Sequence, residues 1–217
     1  MDALKKMAAE SAVAQVSDGM VVGLGTGSTA EFVLLALARK VREGLRITGV
    51  PTSERAAARA RELGIPLTEL PQQIDLAIDG ADEVERARLD LIKGRGGALL
   101  REKIVAQAAE RFIVVVDQSK LVDQLGAGPV PVEVVPFGWQ ATARRIGAKF
   151  ERRDIVTDNG NYILDCHFGP IASPATLADD LKRITGVVEH GLFLGLATEV
   201  HEGTLKGVRR YLRQPAK

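Results

Sequence analysis

The sequence predicts an α/β chain built on a doubly wound, mostly parallel sheet, joined by a smaller α+β unit. Three observations carry this. Short apolar runs alternate with helix-length amphipathic segments through about residue 127. Those runs are apolar throughout, as strands are when helices cover both faces of their sheet. At Gly128-Pro129-Val130-Pro131 the pattern then changes, which marks a linker into a unit of different order.

The elements follow in sequence. Ala3 to Val16 reads as an amphipathic helix stopped by Ser17-Asp18-Gly19. Met20–Leu24 is a strand that runs into the glycine loop Gly25-Thr26-Gly27-Ser28-Thr29. A helix from Ala30 to about Arg42 follows, with Phe32, Leu35 and Leu37 among its apolar positions. Ile47–Val50 is the next strand, Ser53 caps a helix over Glu54–Leu63, and Ile65-Pro66-Leu67 is a short edge segment. Leu76–Ile78 is a strand, Ala98–Glu110 a helix and Phe112–Val116 a strand.

Beyond the linker come a strand (Val132–Val135), a helix (Trp139–Ile146), two strands around Asn159-Gly160, a helix (Ala175–Ile184) and a strand at Val187-Val188. This β-α-β-β-α-β order predicts a split βαβ unit. Leu192 to Leu212 is expected to return to the first unit. The expected domains are therefore 1–127 with 199–217, and 128–198.

Composition narrows the function. The 217 residues can bury a proper core, and a net charge of +1 gives no basic footprint for nucleic acid. The single cysteine, Cys166, cannot form an internal disulfide. Lys5, Lys6 and Glu10 interrupt the N-terminal segment, so it does not read as a signal peptide. No apolar run approaches the ~18 residues of a membrane span. A cytoplasmic protein without membrane or nucleic-acid partners is expected.

Residues 76–103, LAIDGADEVERARLDLIKGRGGALLREK, hold the densest chemistry. An apolar strand ends in Asp79-Gly80-Ala81-Asp82, and a loop leads to Lys93 and the glycines Gly94, Gly96 and Gly97. A helix carrying Glu102 follows. Carboxylates at a strand's C-terminal edge, beside N–H groups at a helix start, suit acid–base chemistry on a small anion.

Each motif also has a plainer reading. Asp79 to Asp82 could be an Asx turn, Glu102 an acid placed for the helix dipole, and Arg101 and Lys103 a solvated face. If Glu102 faces a cleft, burial raises its pKa and the dipole lowers it. GLGTGSTA, at Gly23–Ala30, could be only a tight turn. It lacks a Walker lysine and the third dinucleotide glycine, so a phosphate monoester suits it better. Lys120 follows a strand edge, where a surface lysine is the plainer reading. His167, His190 and His201 show no metal-ligand spacing.

Seven blocks in order resemble ribose-5-phosphate isomerase, type A: GLGTGSTA, PTSERA, DLAIDGADEV, LIKGRGGALLREKIVA, VVDQSK, PVPVEVVPFG and VTDNGNYILD. The resemblance spans nearly the whole chain. It implies a Rossmann-like domain with an inserted ferredoxin-like α+β domain, in a homodimer or homotetramer. It also implies interconversion of ribose 5-phosphate and ribulose 5-phosphate, in the non-oxidative pentose phosphate pathway, without metal or other cofactor.

The resemblance further implies the site. Thr26, Gly27, Ser28 and Thr29 bind ligand, with Ser28 and Thr29 on the phosphate. Asp79, Gly80, Ala81 and Asp82 match one motif, and Lys93, Gly94, Arg95 and Gly96 another; the Arg95 side chain is expected to point away. Glu102 corresponds to the proton acceptor and Lys120 to a phosphate-side lysine. Lys5 looks similar to another such lysine, with Lys6 the neighbouring register. Lys93 and the glycine N–H groups would serve the oxyanion, and Asp79 and Asp82 the hydroxyl protons. A sugar-phosphate deaminase, a coenzyme A transferase, a non-catalytic sugar-phosphate sensor and a dinucleotide module reading ribose through Glu54 are the alternatives.

Overall fold

The structure, a computed structural model, describes residues 1–214; the last three residues of the expected 199–217 segment lie outside the described residues. The first half contains α1 (Asp2–Val13), β1 (Val21–Leu24), α2 (Ser28–Arg42), β2 (Thr48–Pro51), α3 (Glu54–Glu62) and β3 (Ile74–Gly80). Then come β4 (Glu83–Glu85), β5 (Leu91–Ile92), α4 (Leu99–Ala108), β6 (Ala109–Asp117), a 3-10 turn (Gln118–Lys120) and β7 (Leu121–Val122). The remainder is β8 (Val130–Val134), α5 (Trp139–Ile146), β9 (Lys149–Arg152), β10 (Tyr162–His167), α6 (Pro174–Arg183) and β11 (Val187–His190). It closes with β12 (Leu192–Phe193), β13 (Glu199–Thr204) and β14 (Gly207–Leu212).

The main sheet runs β14-β13-β6-β3-β1-β2. From β13 to β2 every pairing is parallel, and only the edge strand β14 is antiparallel. Strand β6 shows why it is covered on both sides. Its side chains alternate between faces, so Ile113 and Val115 join a core with α1 and α2, whereas Phe112, Val114 and Val116 join another with α4 residues Val105 and Ala106. Each such fully buried side chain contributes about 1.5–3 kcal/mol of transfer free energy.

The second sheet, β11-β8-β10-β9, is antiparallel and carries α5 and α6 in the expected β-α-β-β-α-β order. Trp139 stands edge-on to Phe150 and Tyr162 in this unit, with ring centroids 6.3 and 6.4 Å away. Asn159-Gly160 lies within the connection of residues 153–161 between β9 and β10.

A third sheet, β12-β5-β4-β7, was not expected. Its strands have only two or three residues, too few to display a period. It completes the cover of the main sheet: Val84, Leu91, Leu121 and Phe193 pack in the cluster of Phe112 and Val114. Helix α1 stops at Val13, short of the expected Val16, and Leu35 is exposed whereas Leu34 and Leu37 are buried. Among the described residues no helix is long and apolar enough to cross a membrane.

The topology fixes where a ligand can sit. The chain leaves β1 for β2 on one side and returns to β3 on the other side of β1, so the loops after β1 and β3 diverge. Such a switch point opens a crevice at the C-terminal ends of the strands. Helix α1 reaches that end because its backbone touches β13, where a Cβ on Gly203 would lie 2.0 Å from the Leu4 carbonyl oxygen. Gly203→Ala must therefore push α1 off the sheet. We expect it to lower unfolding stability by about 1–3 kcal/mol, as overpacking does; an unchanged denaturation midpoint would show that α1 is not seated so closely.

Candidate active site

At the switch point two glycine loops and three helix or turn starts meet around a cleft of about 300 Å³. The first loop follows β1. A Cβ on Gly25 would lie 2.1 Å from Asp79 Oδ1, so only glycine lets the β1 and β3 ends approach. The Thr26 amide donates to the same oxygen at 3.1 Å, and Thr26 Oγ1 lies 2.8 Å from both Thr52 Oγ1 and Ser53 Oγ. Gly27, at φ 121°, then starts α2 without any side-chain cap. The first N–H groups of α2 are thus available to an anion, with Ser28 and Thr29 in the opening turn. Lys5 of α1 donates to Ser28 Oγ at 3.2 Å. Of the two neighbouring lysines, Lys5 lines the cleft and Lys6 is exposed. Lys120, from the turn after β6, also lines it.

The opposite wall is built on a buried ion triad. Lys93 Nζ lies 2.9 Å from Asp79 Oδ2 and 3.5 Å from Glu102 Oε2, and donates to the Gly80 carbonyl at 2.7 Å. All three side chains are at least 95% buried. Among the described residues Glu102 Oε2 accepts no hydrogen bond, although Lys93 stands within ion-pair range. Burial pushes the Glu102 carboxyl up, Lys93 pulls it down, and the charges of Asp79 and Asp82 push it up again, leaving it raised to about 8. Burial is the largest of these influences, and the net direction is upward. Burial also works to lower the Lys93 pKa, but Asp79 and Glu102 overcome it and hold the ammonium above the ordinary lysine value.

The second loop, Gly94 to Gly97, joins Lys93 to α4. Gly94 and Gly97 have φ of 111° and 83°, a region that side chains disfavour. The loop packs on the first: a Cβ on Gly96 would lie 3.3 Å from Thr26 Cγ2. Asp82 Oδ2 accepts the Arg95 amide at 2.9 Å, while the Arg95 side chain is exposed at the rim.

Every residue expected in the site, from Lys5 and Thr26–Thr29 through Gly80–Asp82, Lys93–Gly96, Glu102 and Lys120, lines this cleft except Asp79. Asp79 lies behind it. Its Oδ1 accepts from the Thr26 and Gly80 amides, and its Oδ2 meets Lys93. Arg55 also lines the cleft and was missed. Its signal was available: it lies in the first turn of α3, at the same C-terminal strand edge as the other loops.

Lys103 is a correction. The sequence allowed a solvated face, yet this lysine is buried, donating to Glu189 Oε1 at 2.7 Å and to the His190 carbonyl at 2.6 Å. It ties the helix of Glu102 to β11. Its ammonium stands 4.9 Å from the Phe193 ring centroid, and that of Lys93 stands 5.5 Å away. Among the described residues, no group of three or more His, Cys, Asp or Glu side chains is arranged to hold a metal ion.

Comparison with known proteins places the sequence and the fold. Residues 48–207 match the family model of ribose 5-phosphate isomerase A (phosphoriboisomerase A). The ribose-5-phosphate isomerase A of Gloeobacter violaceus is 60% identical over 211 residues, 92% of each chain, and that of Gluconobacter oxydans is 54% identical over 97% of each. The ribose 5-phosphate isomerase A structure of Methanocaldococcus jannaschii is 43% identical, with a TM-score of 0.92 over 97% of this chain and 98% of that one. A D-ribose-5-phosphate isomerase in complex with phospho-erythronic acid is likewise 43% identical, with a TM-score of 0.93 over 97% of this chain and 98% of its own. With its sequence and its fold both of one kind, the chain belongs to the ribose 5-phosphate isomerase A family.

Proposed function

We propose that this chain interconverts D-ribose 5-phosphate and D-ribulose 5-phosphate through an enediolate, with Glu102 as the base. Family membership supplies the reaction. The observation that carries the residue assignment is the Glu102 carboxyl group: buried, raised in pKa, without a hydrogen bond at Oε2 among the described residues, and facing the cleft. A base with a pKa near the working pH both holds the right protonation state and drives proton transfer.

The phosphate belongs at the uncapped start of α2, among Ser28, Thr29, Lys5, Lys120 and Arg55. Binding there holds the far end of the sugar against Glu102, so remote binding energy orients the reacting carbons. Glu102 removes the C2 proton of the open aldose, and the electron pair moves through C1 to O1. Lys93 and the N–H groups of the glycine loop stabilise the charge that develops there. The same carboxyl returns the proton to C1, while the O2 hydroxyl gives up its proton and O1 gains one.

Asp82 is the better placed aspartate for the hydroxyl protons, because it faces the cleft. Asp79 has both oxygens engaged by the protein, so we assign it to holding Lys93 and the first loop. The units 1–127 with 199–214 then form the catalytic domain, and 128–198 braces it; the separate sheet of β8 to β11 supports that division.

The sensor reading is tested by activity itself. The parent chain should isomerise ribose 5-phosphate in the presence of EDTA, and Glu102→Gln should lose at least ~100-fold in kcat, the lower bound for a positioned base. An inactive parent or an unimpaired mutant would sink the assignment. For the phosphate end, Lys5→Ala and Lys120→Ala should each raise KM roughly 10-fold or more, the effect of losing a charge-assisted bond of ~1.5–3 kcal/mol. An unchanged KM in both would move the phosphate elsewhere.

A further inference from the structure

The loop that carries the oxyanion N–H groups is glycine-rich, and such a loop has several accessible backbone conformations. Within the loop the Gly97 amide donates to the Gly94 carbonyl at 3.0 Å, and contacts from outside hold the rest. Arg153, at the start of the β9–β10 connection, donates from Nη1 to the carbonyls of Gly94 at 2.8 Å and Arg95 at 3.1 Å. Its other nitrogens form a bidentate pair with Asp165 of β10, at 2.7 Å from Nε and 2.6 Å from Nη2. Asp165 is set in the middle of the second sheet, opposite Pro131 of β8 and Glu151 of β9. The guanidinium is therefore fixed on one side by a strand and on the other holds two successive peptide carbonyls.

The peptide bonds of this loop are trans, so each carbonyl points opposite to the N–H of its own peptide unit. The Gly94 carbonyl shares its plane with the Arg95 N–H, which points away from Arg153 and donates to Asp82 Oδ2. The Arg95 carbonyl shares its plane with the Gly96 N–H. That N–H also points away from Arg153, and it has no hydrogen-bond partner among the described residues. Gly96 and Asp82 both line the cleft.

We propose that Arg153 is a positioning residue: by gripping the Gly94 and Arg95 carbonyls it aims the Gly96 N–H at the enediolate oxygen and the Arg95 N–H at Asp82. The argument rests on the isomerase reading given above. A cation on the carbonyl side of an amide also polarises it, which strengthens the bond its N–H donates. The same connection braces the site at two further points. Asp158 Oδ2 accepts the Glu54 amide at the start of α3, and Arg101 of α4 donates to the Asp158 carbonyl and to Asn159 Oδ1. The inserted unit thereby sets the catalytic loop without touching substrate.

Three variants test this against the parent on ribose 5-phosphate: Arg153→Ala, Arg153→Lys and Asp165→Asn. For Arg153→Ala kcat should fall roughly 10–100-fold, short of the ~10²–10³ lost with a whole oxyanion donor. KM should stay within about 3-fold, since the interaction belongs to the transition state. Added guanidinium should restore part of the kcat of the alanine variant, a recovery that a general loss of structure would not show. Arg153→Lys keeps the charge but loses the fork, and should remain slow with a parent-like melting temperature; it serves the same purpose if the alanine variant does not fold. Asp165→Asn should show the same kcat-selective loss to a smaller degree. Parent-like kcat in Arg153→Ala or Arg153→Lys, or a loss confined to KM, would overturn the proposal. A parent chain with no isomerase activity would overturn the functional reading beneath it.

Discussion

Everything in the cleft depends on one buried arrangement, the Lys93 ammonium held between the carboxylates of Asp79 and Glu102. Charges removed from water cost several kcal/mol each unless they are paired and hydrogen-bonded. Lys93 meets that requirement through Asp79 and the Gly80 carbonyl, and Asp79 through Lys93 and two amides. Glu102 is the member left short, with one lysine shared between two acids. Burial raises its pKa, and the lysine it shares with Asp79 does not bring it back. A carboxyl that the fold does not satisfy is available to a carbon-bound proton.

The triad can exist because of where the order of winding reverses in the parallel sheet. Asp79 ends β3, Lys93 follows β5 and Glu102 sits in the first turn of α4, three elements that the switch point beside β1 brings together. Gly25 removes the side chain that would keep β1 and β3 apart. The same edge presents the uncapped start of α2, so in the proposed function the anion site and the proton-transfer site share one cleft. The second sheet contributes from outside, through Arg153 on the glycine loop and Lys103 on β11.

Much of this was legible in the sequence, for physical reasons that differ by element. The parallel strands could be read because helices cover both of their faces, which makes them apolar throughout. The Ser53 cap was legible because its hydroxyl accepts the Ala56 amide, a local bond. The third sheet was not legible, since two- and three-residue strands carry no period. Lys103 looked solvated because its partners, Glu189 and His190, lie far along the chain. Arg153 gave no local signal either, as its role comes from backbone carbonyls that any sequence supplies. Asp79 and Asp82 looked equivalent in one motif; the direction of the chain at the end of β3 turns the first inward and the second toward the cleft.

The central claim concerns the protonation of Glu102 in the free protein, so a residue-specific titration tests it most directly. Carboxyl carbon NMR of the chain labelled at glutamate, assigned by comparison with Glu102→Gln, follows this one group across pH. The account predicts a midpoint near 8, with the carboxylate form present above it and lost as pH falls. A midpoint in the ordinary glutamate range, about 4.3, would contradict it and remove the buried triad as the source of the base.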